Sequence, residues 1–298
     1  MPDWKAISNH IKTTCGESLD TNSAQPVGGG CINAAYRLQT DSRQVFIKVN
    51  SAHNLEMFEA EFDGLTELAK SHSIRVPEPL LCGTAGNESY LVMEDLQLRS
   101  SATKPNLLGE HLAALHQVTA LHNGLPRFGW FRNNTIGSTP QINDYEEHWQ
   151  TFWSKHRLGY QLTLAQRNGA GSQVLQRGEK LCGSLNEFFV GYTPVASLLH
   201  GDLWSGNFSY DQTNRPVIFD PAVYYGDRET DLAMTELFGG FPTDFYAAYK
   251  TAYSLDEGYA TRKTLYNLYH ILNHYNLFGG GYLAQASGMI DRLLSELH

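Results

Sequence analysis

Three side chains in the stretch "HGDLWSGNFSYDQTNRPVIFDP", His200 to Pro221, are spaced for work on a phosphate. Asp202 and Asn207 stand five apart in the form H-x-D-x-x-x-x-N, and Asp220 follows thirteen residues after Asn207, ending the apolar run "VIF". In a catalytic loop of that form the aspartate takes the proton of the attacking hydroxyl and the asparagine holds a metal ion. A hard cation such as Mg2+ takes few protein oxygens and completes its shell from phosphates and water. Asn207 and Asp220 would supply the protein share. Either half alone reads as well as turn-forming Asp and Asn; together, in this order, they point to phosphoryl transfer from a nucleotide.

Two features upstream fit the same chemistry. "VGGGCINAAYRL" carries Gly28, Gly29 and Gly30 between strand-like runs, and exposed backbone N–H groups there would cover phosphates. The spacing is not that of a Walker A loop. "VFIKVN" places Lys48 among apolar strand neighbours, where a lysine either reaches for solvent or grips a phosphate with a helix glutamate as partner. Glu59 and Glu61 flank the apolar stripe of the next helix on opposite sides, so spacing does not choose between them. Cys31, directly after the glycines, is either a small residue packed under the loop or a thiolate stabilised by the N–H groups that would hold a phosphate. In the second case it is a redox candidate, able to link two chains.

These residues need elements to carry them. "GGGCINAAYRLQT" and "QVFIKVN" across Asp41-Ser42-Arg43 predict a hairpin. Leu55, Phe58, Phe62, Leu65 and Ala69 recur at helical spacing. Two further strands follow in "VPEPLLCGTAGNESYLVMEDL", so the first third reads as strands with one helix. Beyond Leu96 the pattern turns helical: Leu108, Leu112 and Leu115 share a face, and 145–189 and most of 245–298 follow suit. The expectation is an α+β, bilobal chain, with a small antiparallel β-rich lobe over 1–95 and a larger, mainly helical lobe over 96–298. His116 reads as a core histidine. Asp231 in "RETDLAM" either caps its helix or braces the catalytic loop from below. Trp130, Trp204, Tyr224 and Tyr225 either line a sugar site or fill a core.

The chain of 298 residues is 42% hydrophobic and 18% charged, with a formal net charge of -9. An acidic chain without a Lys/Arg block is ill suited to nucleic acid, and no apolar run approaches membrane-spanning length. Four cysteines without C-x-x-C or metal-ligand spacing suggest a reducing compartment, the cytoplasm.

With these residues in hand, the chain resembles the fructosamine kinase (ketosamine 3-kinase) family, of the aminoglycoside-phosphotransferase and protein-kinase-like fold. The motifs run nearly end to end: "GGGCIN", "FIKVN", "FEAE", "YLVMEDL", "LGEHLAALH", "FGWFRNNTIGSTPQ", "LLHGDLWSGN", "IFDPAVYYGDRETDLAM" and "LFGGFP". "HGDLWSGN" together with "DPAVYYGDRE" is the specific combination. The resemblance implies an ATP- and Mg2+-dependent kinase acting on the 3-hydroxyl of ketoamines, free or protein-bound, whose unstable product releases the amine and so reverses glycation. It implies Asp202 as base, Asn207 and Asp220 as magnesium ligands, and Lys48 on the α/β-phosphates, held by Glu61. Met93, Glu94, Asp95 and Leu96 would form a hinge at adenine, and Trp204 would sit beside the sugar. It is compatible with a monomer, or with a homodimer under redox control through Cys31. Two other functions fit the residues less fully: a kinase for another alcohol, such as an aminoglycoside, choline or homoserine, and a nucleotide-binding regulator without catalysis. A protein kinase is disfavoured, since no A-P-E segment or activation loop follows Asp220.

Overall fold

Alternation of side chains along a strand sorts the first hundred residues into two faces. The computed structural model describes residues 2–28, 32–99 and 104–297. Helix α1 (Trp4–Cys15) is followed by strands β1 (Leu19–Val27), β2 (Ala34–Thr40) and β3 (Gln44–Ser51), helix α2 (Leu55–Lys70), and strands β4 (Pro79–Ala85) and β5 (Glu88–Glu94). The strands form one antiparallel sheet in the order β1-β2-β3-β5-β4. Val45, Ile47 and Val49 of β3 join Tyr90 and Val92 of β5 in a core closed by Ile7 and Ile11 of α1. Lys48 therefore points to the other face, paired across the ladder with Ala35 and Leu91.

The expected hairpin is present: Gln39 pairs with Gln44, and the Thr40 hydroxyl accepts from the Arg43 N–H at 3.1 Å. Helix α2 buries Phe58, Ala60, Gly64, Leu65 and Leu68 and packs on β4 and β5. Its stripe is rotated from the expected one, leaving Ala69 exposed and Phe62 half-buried. Among the described residues the first third holds two α-helices, α1 besides α2, and not the single helix expected from the sequence. Helix α1 has an apolar face of only Ile7 and Ile11, too sparse to register as a stripe. It is fixed instead by its ends, with Asp3 accepting from the Ala6 N–H at 3.0 Å and Gly16 closing it at φ +79°.

The chain divides into two compact units, Met1–Lys104 with Ser209–Pro221, and Pro105–Phe208 with Ala222–His298. Within the first, the returning strand Pro216–Ile218 bridges Arg75, and the Ile218 N–H donates to the Arg75 carbonyl at 3.0 Å. The second is mainly helical. Helix α3 (Pro105–His116) crosses helix Thr243–Ala252 so closely that a Cβ on Gly109 would stand 2.3 Å from the Phe245 carbonyl oxygen. Helix Tyr259–Phe278 packs on helices Glu229–Leu237 and Tyr282–Ser295. A two-stranded pair, Ser197–Leu199 with Tyr224–Gly226, delivers the chain into His200.

Candidate active site

In the first unit the structure brings Lys48, Glu61 and Asp220 together. The Lys48 ammonium lies 2.6 Å from Glu61 Oε1 and 2.6 Å from Asp220 Oδ1. β3 fixes Lys48, while Glu61 comes from the second turn of α2, on the side facing the sheet. Lys48 is 7% exposed. Burial alone would strip its charge, but Asp220 and Glu61 outweigh burial and hold its pKa above the ordinary lysine range. Burial pushes the Glu61 carboxyl up against the pull of Lys48. Asp220 takes φ +57°, a left-handed conformation that a short polar side chain tolerates better than most. One of its oxygens meets Lys48, and the side chain is half-exposed. Of the two candidate partners for Lys48, the contact belongs to Glu61.

The glycine loop is only partly in view. Gly28 is exposed at the end of β1, while Gly29, Gly30 and Cys31 lie outside the described residues. The far end of the loop is tied to β3, where Asn50 Nδ2 donates to the Ile32 carbonyl and to Asn33 Oδ1. Met93 is buried in β5, which ends at Glu94. Glu94 accepts from Arg75 at 2.5 Å, Asp95 pairs with Arg37 at 3.0 Å and accepts from the Gln97 N–H, and Leu96 follows as irregular chain.

In the second unit the structure assembles the His200–Asn207 loop. Gly201 sits at φ +84°, and a Cβ there would fall 2.0 Å from the Ala222 carbonyl oxygen, so only glycine fits. The buried Asp231 carboxylate accepts from the His200 N–H at 2.7 Å and the Gly201 N–H at 2.8 Å. His116 Nε2 approaches it at 3.2 Å, and His116 Nδ1 meets the Tyr249 hydroxyl at 2.8 Å. Burial lowers the His116 pKa, so the neutral ring donates to Asp231 and accepts from Tyr249. Burial would raise Asp231, yet the donors around it hold its pKa low. Asp231 is thus the brace of the loop, and His116 supports the brace. The hydrogen bonds linking residues thirty and more positions apart leave no local sequence signal.

Within the loop, Asn207 is 6% exposed, and its Nδ2 donates to the Asp202 carbonyl at 2.8 Å and to Asp202 Oδ2 at 3.2 Å. That commits the amide nitrogen to Asp202. The Trp204 ring lies over Gly206, where a Cβ would come within 2.4 Å of it, and the indole is 38% exposed. Tyr224 and Trp130 are core residues, each 3% exposed.

Both units offer side-chain oxygens and the first also a lysine, chemistry that suits magnesium and a nucleotide. The family model described as fructosamine kinase matches residues 3–296. A Synechocystis sp. protein assigned as a ketoamine kinase is 45% identical over 98% of this chain and 97% of its own length. The chloroplastic protein-ribulosamine 3-kinase of Arabidopsis thaliana is 42% identical over 95% of this chain and 86% of its own. Among solved structures, a Haemophilus somnus 129PT protein assigned as a fructosamine-3-kinase superposes with a TM-score of 0.86 at 30% identity, covering 98% of this chain and 97% of its own. At 16% identity and a TM-score of 0.59, an aminoglycoside phosphotransferase shares the fold. The α+β protein-kinase-like architecture expected from sequence is the one found.

Proposed function

The chain belongs to the fructosamine kinase family, and on that premise we propose that it transfers the terminal phosphoryl group of ATP to the 3-hydroxyl of ketoamines, the adducts of sugars with amines. The observation that carries this reading is the Lys48 ammonium fixed between Glu61 and Asp220. Phosphoryl transfer needs positioning and charge neutralisation more than covalent chemistry. Lys48 steadies the nucleotide phosphates. Asp202 accepts the proton of the sugar hydroxyl as its oxygen attacks. The Asn207 side-chain oxygen and an Asp220 carboxylate oxygen would hold Mg2+, which would supply charge neutralisation at the phosphates. Trp204 covers the sugar face, the chain after β5 receives adenine, and the glycine loop covers the phosphates. Phosphorylation next to the ketone makes the adduct unstable, so the amine is released and glycation is reversed. Among the described residues no helix is long and apolar enough to cross a membrane, and cysteines without disulfide-like or metal-ligand spacing are the ground for placing the protein in the reducing cytoplasm.

The test is ADP release with fructosyl-, ribulosyl- and erythrulosyl-lysine against an aminoglycoside and choline. ADP release dependent on at least one ketoamine is the expected result. Release with only the other alcohols, or nucleotide binding without any turnover, overturns it.

A further inference from the structure

The run "RNNTIGSTPQIN", Arg132 to Asn143, is dense in amides, and three of them are buried: Asn134, Gln141 and Asn143 are 8%, 1% and 0% exposed. Buried amides are costly unless their hydrogen bonds are made, and these are made to one another, to the backbone at Ala222, Val223 and Arg132, and to the side chains of Arg157 and Tyr269. Asn134 Nδ2 donates to the Val223 carbonyl at 2.8 Å, and Gln141 Nε2 to the Ala222 carbonyl at 3.1 Å. Asn134 Oδ1 accepts from Gln141 Nε2 at 2.8 Å and from Asn143 Nδ2 at 3.1 Å. Arg157, fully buried, donates to Asn143 Oδ1 at 2.8 Å, and the Tyr269 hydroxyl donates to Gln141 Oε1 at 2.8 Å.

The backbone so gripped matters twice. The Ala222 N–H donates to the His200 carbonyl at 2.8 Å, in the loop that carries Asp202, and the Ala222 carbonyl faces the position no Cβ can occupy on Gly201. Ala222 is also two residues after Asp220, whose left-handed φ must be held by what flanks it. We infer that Asn134 and Gln141 are positioning residues for phosphoryl transfer: through Ala222 and Val223 they set the backbone on which the catalytic loop rests and from which Asp220 is suspended. Neither touches substrate. A displacement of the order of an ångström at reacting groups costs up to about 10²-fold in rate, so loosening this grip acts on turnover and on the magnesium requirement before it acts on the fold.

This inference rests on the kinase reading, and the experiment separates the two. Gln141→Leu and Tyr269→Phe are compared with wild type for kcat, KM for ketoamine, Mg2+ dependence, thermal midpoint and hydrogen exchange over 198–207 and 219–226. Gln141→Leu is expected to exchange faster at Ala222, to lose about tenfold or more in kcat, and to need more Mg2+, with KM for ketoamine little changed. Tyr269→Phe, which keeps the ring and removes the hydroxyl with its bonds to Gln141 and Gln161, shifts the same readouts in the same direction by less. Should Gln141→Leu fail to fold, Tyr269→Phe alone decides the matter. Unchanged exchange at 219–226, or a kcat and Mg2+ profile equal to wild type well below the thermal midpoint, overturns the positioning role. A wild type silent on every ketoamine overturns the functional reading instead, while the exchange result still judges the network.

Discussion

One ammonium holds two carboxylates, and the charge of Lys48 has consequences that can be read by titration. Its pKa is raised in the folded chain. The stabilisation it gives is therefore complete below the unfolded lysine value of about 10.4 and is lost only as pH rises through the higher folded value. Lys48→Met leaves the buried Glu61 carboxylate unpaired, at a cost of about 3 kcal/mol; the half-exposed Asp220 adds little. Urea midpoints of wild type and variant are expected to differ by the same margin at pH 7 and pH 9.5, and a margin that closes over that range contradicts the assignment. Asp202→Asn is expected to lower kcat by at least about 10²–10⁴-fold while ATP binding by calorimetry persists. Asp220→Ala is expected to abolish the Mg2+ dependence of nucleotide affinity. Asp202, Asn207, Asp220 and Lys48 stand out in the sequence because the chemistry proposed for them requires fixed order and spacing. The choice of Glu61 over Glu59 was not, since a helix presents both beside the stripe, and resemblance supplied what periodicity could not.

Elements are legible where side chains repeat and obscure where contacts are long-range. The β2-β3 hairpin, α2 and α3 follow from period and turn chemistry, whereas α1, with two core residues in twelve, does not. The close crossing of α3 with helix Thr243–Ala252 depends on a single hydrogen at Gly109. Gly109→Ala forces a Cβ into the Phe245 carbonyl and is expected to cost about 1–3 kcal/mol, read as a lowered thermal midpoint. An unchanged midpoint would mean the two helices separate freely. On helix Tyr259–Phe278, burial and then the neighbouring His274 push His270 down to about 3. The unfolded chain takes up this proton below about pH 6.5 and the folded chain refuses it, so stability is present above that pH and falls on acidification. His270→Gln is expected to flatten the acid limb by about 1 kcal/mol per pH unit between pH 6 and pH 4. Equal slopes for variant and wild type contradict it.

At the scale of the molecule, composition and charge bounded the class, and the order of strand-rich and helix-rich stretches indicated the architecture. The return of Ser209–Pro221 to the first unit was invisible, because it rests on backbone bonds such as Ile218 to Arg75 and Arg99 to Tyr210 that no side-chain pattern announces. A fragment ending at Lys104 loses those bonds and the Asp220 partner of Lys48. It is expected to melt without the cooperative transition of the full chain by circular dichroism, and a sharp melt of the fragment would show the returning strand to be dispensable.

That return also sets an order of events during synthesis. Domains usually fold as they leave the ribosome, N-terminal first. Here the first unit lacks a strand and a carboxylate until Pro221 has emerged, and everything from Pro105 to Phe208 is translated in between. Lys48 and Glu61 wait through that interval, so a ribosome stalled before Asp220 holds a nascent chain whose first unit is still unfinished.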